Sequence, residues 1–342
     1  MTLPIWPPYP PMEALAVGEI PRGDEWQYEP KWDGFRALAF RDADRIELQS
    51  KSSRPLARYF PDLVAELLKL KAKRFVLDGE IVIPIDKSFS FDALLQRIHP
   101  AATRVKKLSV ETPAKLIVFD LLVDDKGRDL SMFPLEKRRK LLEAFAKKFI
   151  SKKSAIALSP ATTDPKAVLK WAKRAGSSLD GVIAKRRDLG YRSGERDGMQ
   201  KIKTAKTADC VVGGFRYKTG KKQVGSLLLG LYDDEGLLNH VGFIATSGTL
   251  GSDALTKKLE KLVAPPGFTG DAPGGPSRWS TKRSTEWQPL KTKLVVEAQY
   301  DHFTGGRFRH GAKFLRWRPD KKPSLCTIRQ VKRESGLPLL LL

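Results

Sequence analysis

Within six positions the chain sets a lysine, a carboxylate, a glycine and an arginine, as Lys31-Trp32-Asp33-Gly34-Phe35-Arg36. A lysine amine attacks an electrophile only when neutral, and a free lysine, with a pKa of about 10.4, is neutral in roughly one molecule per thousand near pH 7. Neighbouring cations or a bound metal ion free the amine for attack. Beside Arg36 the natural electrophile is a polyphosphate, whose oxygens a guanidinium holds well. Asp33-Gly34 reads as a tight turn that keeps Lys31 at a pocket rim. Without other motifs it reads equally well as a hairpin turn with a surface lysine.

Further stretches add to this chemistry. Asp78-Gly79-Glu80 lies inside an apolar run, where a carboxylate must be paired or functional. Phe119-Asp120 follows Leu116-Ile117-Val118, and periodicity alone makes Phe119 a core residue. Asp180-Gly181-Val182-Ile183-Ala184-Lys185 carries a carboxylate suited to Mg²⁺. Near the end, Arg316-Trp317-Arg318-Pro319-Asp320-Lys321 offers Arg318 and Lys321 for phosphate charge, with Asp320 to orient one of them. No Walker-type glycine loop accompanies these motifs. Gly213-Gly214 and Gly305-Gly306 read as bulges or close backbone approaches.

The elements that must position these residues are legible as an α+β pattern. Residues 26–49 read as two strands around a turn, with Ala37, Ala39, Ile46 and Leu48 on one face and a bend at Asp42-Ala43-Asp44. Pro61-Asp62 starts a helix carrying Leu63, Val64, Leu67 and Leu68. Residues 75–85 and 115–123 are β-branched, apolar runs expected as buried strands. Pro134 opens a helix with the stripe Leu135, Leu142, Phe145 and Phe149. Asp164-Pro165 caps another, ended by Gly176. Residues 181–185 and 199–204 are short strands. Five strands follow, at 208–217, 224–232, 237–246, 293–302 and 312–318, with one helix at 253–262 and a Gly/Pro/Ser-rich loop at 264–277. Five strands and one helix suit a small barrel of the OB type.

Composition narrows the partner. The 342 residues carry 62 basic against 39 acidic side chains, a net charge of +23, which favours a polyanion and above all nucleic acid. Residues 205–342 hold 23 basic and 12 acidic side chains, so both parts of the chain are basic. Cys210 and Cys326 give no disulfide framework and fit a reducing cytoplasm. The histidines show no zinc spacing, and no apolar run reaches membrane-spanning length. The proline-rich start reads as an extended arm packed by Trp6 and Tyr9.

Taken in order, from about residue 10 to 322, these motifs resemble those of the ATP-dependent DNA ligases of the covalent nucleotidyltransferase superfamily. The likeness is greatest to small bacterial ligases of the end-joining group, the ligase C and ligase D type. It implies that Lys31 becomes adenylated. It sets Glu29 where the adenine edge is read, and Arg36 beside the ribose and phosphates. Ser50-Lys51-Ser52-Ser53-Arg54 resembles a Ser-Arg-Asn-Gly motif, with Lys51 at the arginine position and Arg54 the alternative. Glu80 matches the residue that meets the ribose hydroxyl and a metal, and Phe119 the aromatic that stacks on adenine. Asp180 stands where relatives have a metal-binding glutamate, one methylene longer. Arg196 matches an upstream phosphate-binding arginine. Lys201 and Lys203 match the pair that holds the α-phosphate, and Met199 lies near the place of a common tryptophan. Arg318, Asp320 and Lys321 match a motif that orients pyrophosphate.

The same resemblance implies an adenylation (nucleotidyltransferase) domain of antiparallel sheets and helices over 1–204. An OB-fold DNA-binding barrel with a C-terminal tail would follow over 205–342. ATP would be consumed with Mg²⁺ or Mn²⁺, leaving AMP on the lysine, and nicks or breaks in duplex DNA would be sealed. A cytoplasmic monomer is expected, with Ku and a repair polymerase as partners. Two rivals share parts of the pattern. An RNA ligase or mRNA capping guanylyltransferase shares the lysine motif. A non-catalytic OB-type nucleic-acid-binding protein would keep only a dead nucleotide fold, against which intact Lys31, Glu80, Lys201 and Lys203 argue.

Overall fold

The computed structural model describes residues 3–86, 88–168, 171, 179–203, 206–246, 252–274, 286–309 and 311–331. The chain divides into two compact units, Met1–Thr204 and Ala205–Lys332.

The first unit is built on two sheets. One has five strands in the order Arg45–Ser50, Phe35–Asp42, Arg74–Val82, Lys115–Val123 and Ile156–Leu158, antiparallel except for the last pair. Both of its faces are buried. Ala37, Ala39 and Leu77 pack with Leu63 and Leu67 of helix Pro61–Lys69 and with Leu142 and Phe145 of helix Leu135–Phe149. Leu38, Phe40, Val76 and Leu122 pack on the opposite face with Leu3, Ile5, Tyr191 and Met199. Burial on two sides explains why the central strands read as continuous apolar runs rather than alternations. The N-terminal arm lies here as expected: Trp6 meets Phe40 edge-on at 5.8 Å, and Tyr9 stacks on Tyr191 at 6.2 Å. Arg41, fully buried, donates to the carbonyls of Leu67, Leu68 and Leu70. It so satisfies the C-terminal end of helix Pro61–Lys69.

The second sheet orders Leu15–Ala16, Met199–Lys203, Gly181–Arg186 and Trp26–Pro30. This corrects the expectation for residues 26–49. The hairpin is Phe35–Asp42 with Arg45–Ser50, turning at Ala43, whereas Trp26–Pro30 pairs with Gly181–Arg186 in the other sheet. The run expected as one strand over 75–85 ends at Val82, and Pro84–Ile85 forms a short hairpin with Ser88–Phe89. Two helices not foreseen, Phe91–Arg97 and Ala102–Glu111, follow it. The helix capped by Asp164-Pro165 begins at residue 165, and its expected end at Gly176 lies outside the described residues.

The second unit curls one antiparallel sheet in the order Leu238–Ala245, Lys221–Tyr232, Lys206–Lys218, Val295–Tyr300 and Lys313–Trp317. Its two ends meet at a bridge between Ile244 and Ala312. Phe215, Val224, Leu227, Leu229 and Val241 form its core with Leu259 of helix Asp253–Glu260, an arrangement of the OB type. Ser252 starts that helix by accepting the amide of Leu255. The register slips between Val212 and Gly214, the bulge that the paired glycines suggested. Gly305-Gly306 differs from its expectation. Both residues have positive φ and turn the short hairpin Phe303–Thr304 to Arg307–Phe308.

Candidate active site

Lys31 stands where the chain leaves one sheet of the first unit for the other. Its amide donates to Gly181 O at 3.0 Å, and the Asp180 amide donates to Lys31 O at 3.2 Å, so two sequence-distant motifs are tied at the backbone. The Lys31 ammonium pairs with the Asp180 carboxylate. Gly181 has φ +140°, and a Cβ there would lie 1.9 Å from Ile202 O, so the motif requires glycine. Gly34 is needed for a different reason. A Cβ there would meet Ile81 O at 2.2 Å, beside Glu80. Asp33-Gly34 is therefore a close backbone approach to the neighbouring strand Arg74–Val82 of the sheet it enters, and not the hairpin turn that its sequence suggested.

A cavity of about 210 Å³ opens at this crossing, and Glu29, Lys31, Arg36, Glu80, Phe119 and Lys201 are among its walls. Glu29 is buried; one oxygen accepts from Gln27 and the other from Lys185 Nζ, each at 2.8 Å. Phe119 is aimed by a bulge: Asp78 pairs with Asp120 and Gly79 with Val118, which leaves Phe119 as the extra residue. Lys185 Nζ lies 4.4 Å and the Arg36 guanidinium 4.7 Å from the centre of the Phe119 ring. Arg36 is also held in bidentate fashion by buried Asp78, at 2.5 and 2.6 Å. Tyr191 donates to the same carboxylate at 2.7 Å. Glu80 faces Arg36 across the ladder, and burial pushes its carboxyl up to about 7, only partly offset by Arg36 and Lys31.

Five cations surround one corner. Burial depresses the Lys201 ammonium, and the positive charges of Lys51, Lys31, Lys203 and Arg196 depress it further. Lys51 and Arg196 share Glu13, at 3.3 and 2.8 Å. Lys51 lines the cavity, whereas Arg54 lines an open groove outside it. Arg196 and Lys203 are not wall residues, although both act on Lys201.

The remaining candidates belong to the second unit. Arg318 is held by Asp320 through Nε at 3.0 Å and Nη2 at 2.8 Å, and by Asp209 at 2.8 Å. Lys321 pairs with the other oxygen of Asp209 at 3.1 Å.

Sequence reasoning missed Glu13 and Asp209, single acids with no motif around them. Asp78 reads from the sequence as a carboxylate that must be paired or functional, but its partner Arg36 was not foreseen. Lys185 was within reach, since it closes the motif that Asp180 opens. Among the described residues no three His, Cys, Asp or Glu side chains converge as a ready metal cage. Asp180 and Glu80 still fit a hard divalent ion, because Mg²⁺ takes one or two carboxylates and completes its shell with substrate phosphates and water.

Residues 14–203 match the family described as ATP dependent DNA ligase domain, and residues 220–321 match the ATP dependent DNA ligase C terminal region. The chain is similar to DNA ligase C2 of Mycolicibacterium smegmatis, with 44% identity over 97% of this chain and 96% of that protein. It is also similar to the multifunctional non-homologous end joining protein LigD of Mycobacterium bovis, with 33% identity over 89% of this chain and 37% of that protein. Among solved structures, mycobacterial DNA ligase D complexed with ATP and MES is 29% identical with a TM-score of 0.50, over 93% of this chain and 98% of that one.

Proposed function

The chain belongs to the ATP-dependent DNA ligases, and from that premise we propose that Lys31 carries AMP between ATP and a 5′-phosphate of nicked duplex DNA. Lys31 Nζ attacks the α-phosphorus of ATP. A P–N bond forms, the bond to the β-phosphate breaks, and pyrophosphate leaves. Asp180, which accepts from Nζ, orients the amine, and the proton is released to solvent as the amine becomes neutral. The adenylate then passes to the DNA 5′-phosphate, and the P–N bond breaks. Finally the 3′-hydroxyl attacks that phosphate, AMP departs and the strand is closed.

The cluster of Lys31, Lys51, Arg196, Lys201 and Lys203 carries this conclusion, because mutually repelling cations beside a cavity call for a polyphosphate. Phe119 offers a face for adenine, and Glu80 a hydrogen-bonding group for the ribose. Glu29 holds Lys185 at the adenine end. Arg36, clamped by Asp78, holds its charge in a fixed place near the sugar and phosphates. Asp180 and Glu80 would hold Mg²⁺ or Mn²⁺, which supplies charge neutralisation on the transferring phosphoryl group. Arg318, Asp320 and Lys321 orient the departing pyrophosphate. We assign the adenylation domain to 1–204 and the OB-fold DNA-binding domain to 205–342, a division that the two family matches support.

A role in repair by end joining is supported by the likeness to LigD, and we propose Ku and a repair polymerase as its partners. A cytoplasmic location is in keeping with two free cysteines, and we propose that the protein acts as a monomer. No helix among the described residues is long and apolar enough to cross a membrane.

The test is covalent labelling. Wild-type protein incubated with labelled ATP, then denatured, should retain label, and GTP should give none. Lys31→Ala should lose the label yet still seal a nick that is already adenylated. Label persisting on Lys31→Ala would exclude Lys31 as the attachment site, and labelling by GTP would favour a capping enzyme.

A further inference from the structure

Asp209 has no part in the motifs that identified the site, yet it organises one of them. It lies on strand Lys206–Lys218, opposite Glu297 on strand Val295–Tyr300. Its side chain is 11% exposed, against 63% for Asp320. The two carboxylate oxygens are divided between two cations: Oδ1 accepts from Arg318 Nη1 at 2.8 Å and Oδ2 pairs with Lys321 Nζ at 3.1 Å. The backbone of Asp209 is fixed separately. Its amide donates to Gln330 Oε1 and its carbonyl accepts from Gln330 Nε2, each at 3.1 Å. The carboxylate is thus free of structural duty to the strand and committed to the two cations.

One carboxylate that binds a guanidinium and an ammonium, one on each oxygen, fixes them side by side at the scale of two linked phosphates. Among the described residues Asp320 bonds Arg318 and not Lys321, and it is largely exposed, so it does not set that spacing. We propose that Asp209 is a positioning residue for self-adenylation, holding Arg318 and Lys321 as a paired grip for the β- and γ-phosphates of ATP. This rests on the assignment of Arg318 and Lys321 to pyrophosphate.

Asp209→Asn is the informative variant. It keeps the size of the side chain, the ladder and the Gln330 bonds, but it removes the charge and turns a donor toward one of the cations. Rates of lysyl-adenylate formation would be measured against ATP concentration, alongside sealing of a pre-adenylated nick. In Asp209→Asn the KM for ATP should rise by roughly ten- to a hundredfold, as for loss of a charged hydrogen bond, with a smaller change in kcat. Inhibition by added pyrophosphate should weaken in parallel, Asp209→Glu should recover part of the loss, and sealing of the pre-adenylated nick should persist. An unchanged KM in Asp209→Asn while Arg318→Ala is impaired would overturn the role of Asp209 alone. Equal loss in both assays would reduce Asp209 to a structural residue and overturn it too. An unimpaired Arg318→Ala would overturn the pyrophosphate assignment beneath it.

Discussion

Glu80 is pulled in two directions. Burial raises its carboxyl to about 7 from an ordinary value of 4.5, and only the nearby Arg36 and Lys31 keep it from rising further. In the nucleotide-free protein the folded state therefore keeps a proton between those values that the unfolded chain has lost. Where the folded state binds more protons, stability falls as pH rises, here from about 4.5 through about 7, and then levels off. Glu80→Gln imitates the protonated form and cannot titrate. It should match the wild type near pH 5 and exceed it near pH 8 by on the order of 1–2 kcal/mol, after allowance for solvent at the cavity mouth. Urea unfolding of the nucleotide-free proteins at the two pH values checks this. A parallel fall in both proteins would show that another group sets the slope. The same residue scale explains how Lys31 and Asp180, far apart in sequence, form one unit. The backbone bonds between Lys31 and the Asp180-Gly181 segment fix the carboxylate against the amine before any ligand arrives.

Strand Lys115–Val123 shows how an element converts packing into site geometry. Phe119 points to the cavity because the next residue is clamped: Arg138 from helix Leu135–Phe149 bonds both oxygens of Asp120 at 2.9 Å. Burial would raise the Asp120 carboxyl, but Arg138 outweighs it and holds the group below its usual range. Both partners are almost fully buried, so Asp120→Asn leaves a buried guanidinium without its counter-charge, at a cost of about 3 kcal/mol. The bulge should loosen with it, so the KM for ATP should rise as the urea midpoint falls. Lower stability with an unchanged KM would separate the clamp from the aim of Phe119. These elements were readable in unequal measure. The strand and helix Leu135–Phe149 were legible because each buries a continuous apolar face. Helix Ala102–Glu111 buries only Val105, so no stripe announced it. Alternation in Trp26–Pro30 could not say which sheet the strand joins, and that choice falls to its pairing with Gly181–Arg186. Lysines and arginines of the site were legible as spaced motifs. Glu13 and Asp209 were not, nor was the pairing of Asp78 with Arg36, because an acid that meets its cation only through tertiary packing leaves no spacing in the sequence.

At the scale of the whole molecule the charge decides how DNA is held. The net +23 is spread over both halves of the chain, so affinity should come from phosphate contacts and be largely blind to base sequence. Each phosphate neutralised releases counterions, and log affinity should fall with log salt by about 0.9 per contact on duplex DNA. Not every cation contributes: Arg36 is clamped by Asp78, and Lys51 and Arg196 share Glu13, so these charges are partly spent inside the protein. Lys201 is different. It is depressed first by burial and then by four like charges, and an arriving phosphate relieves that repulsion as well as making its own contacts. The 5′-phosphate at a nick, the group that accepts AMP, should therefore add more than one ordinary contact. The measurement is a salt titration of adenylated protein on nicked duplex with and without the 5′-phosphate. Removing that phosphate should weaken binding at every salt concentration and flatten the slope by about one contact or more. Lys201→Ala should erase most of the difference between the two DNAs while leaving the remaining salt dependence in place. Equal binding to both, or a flat response to salt, would mean that DNA is gripped through groups other than this cation cluster.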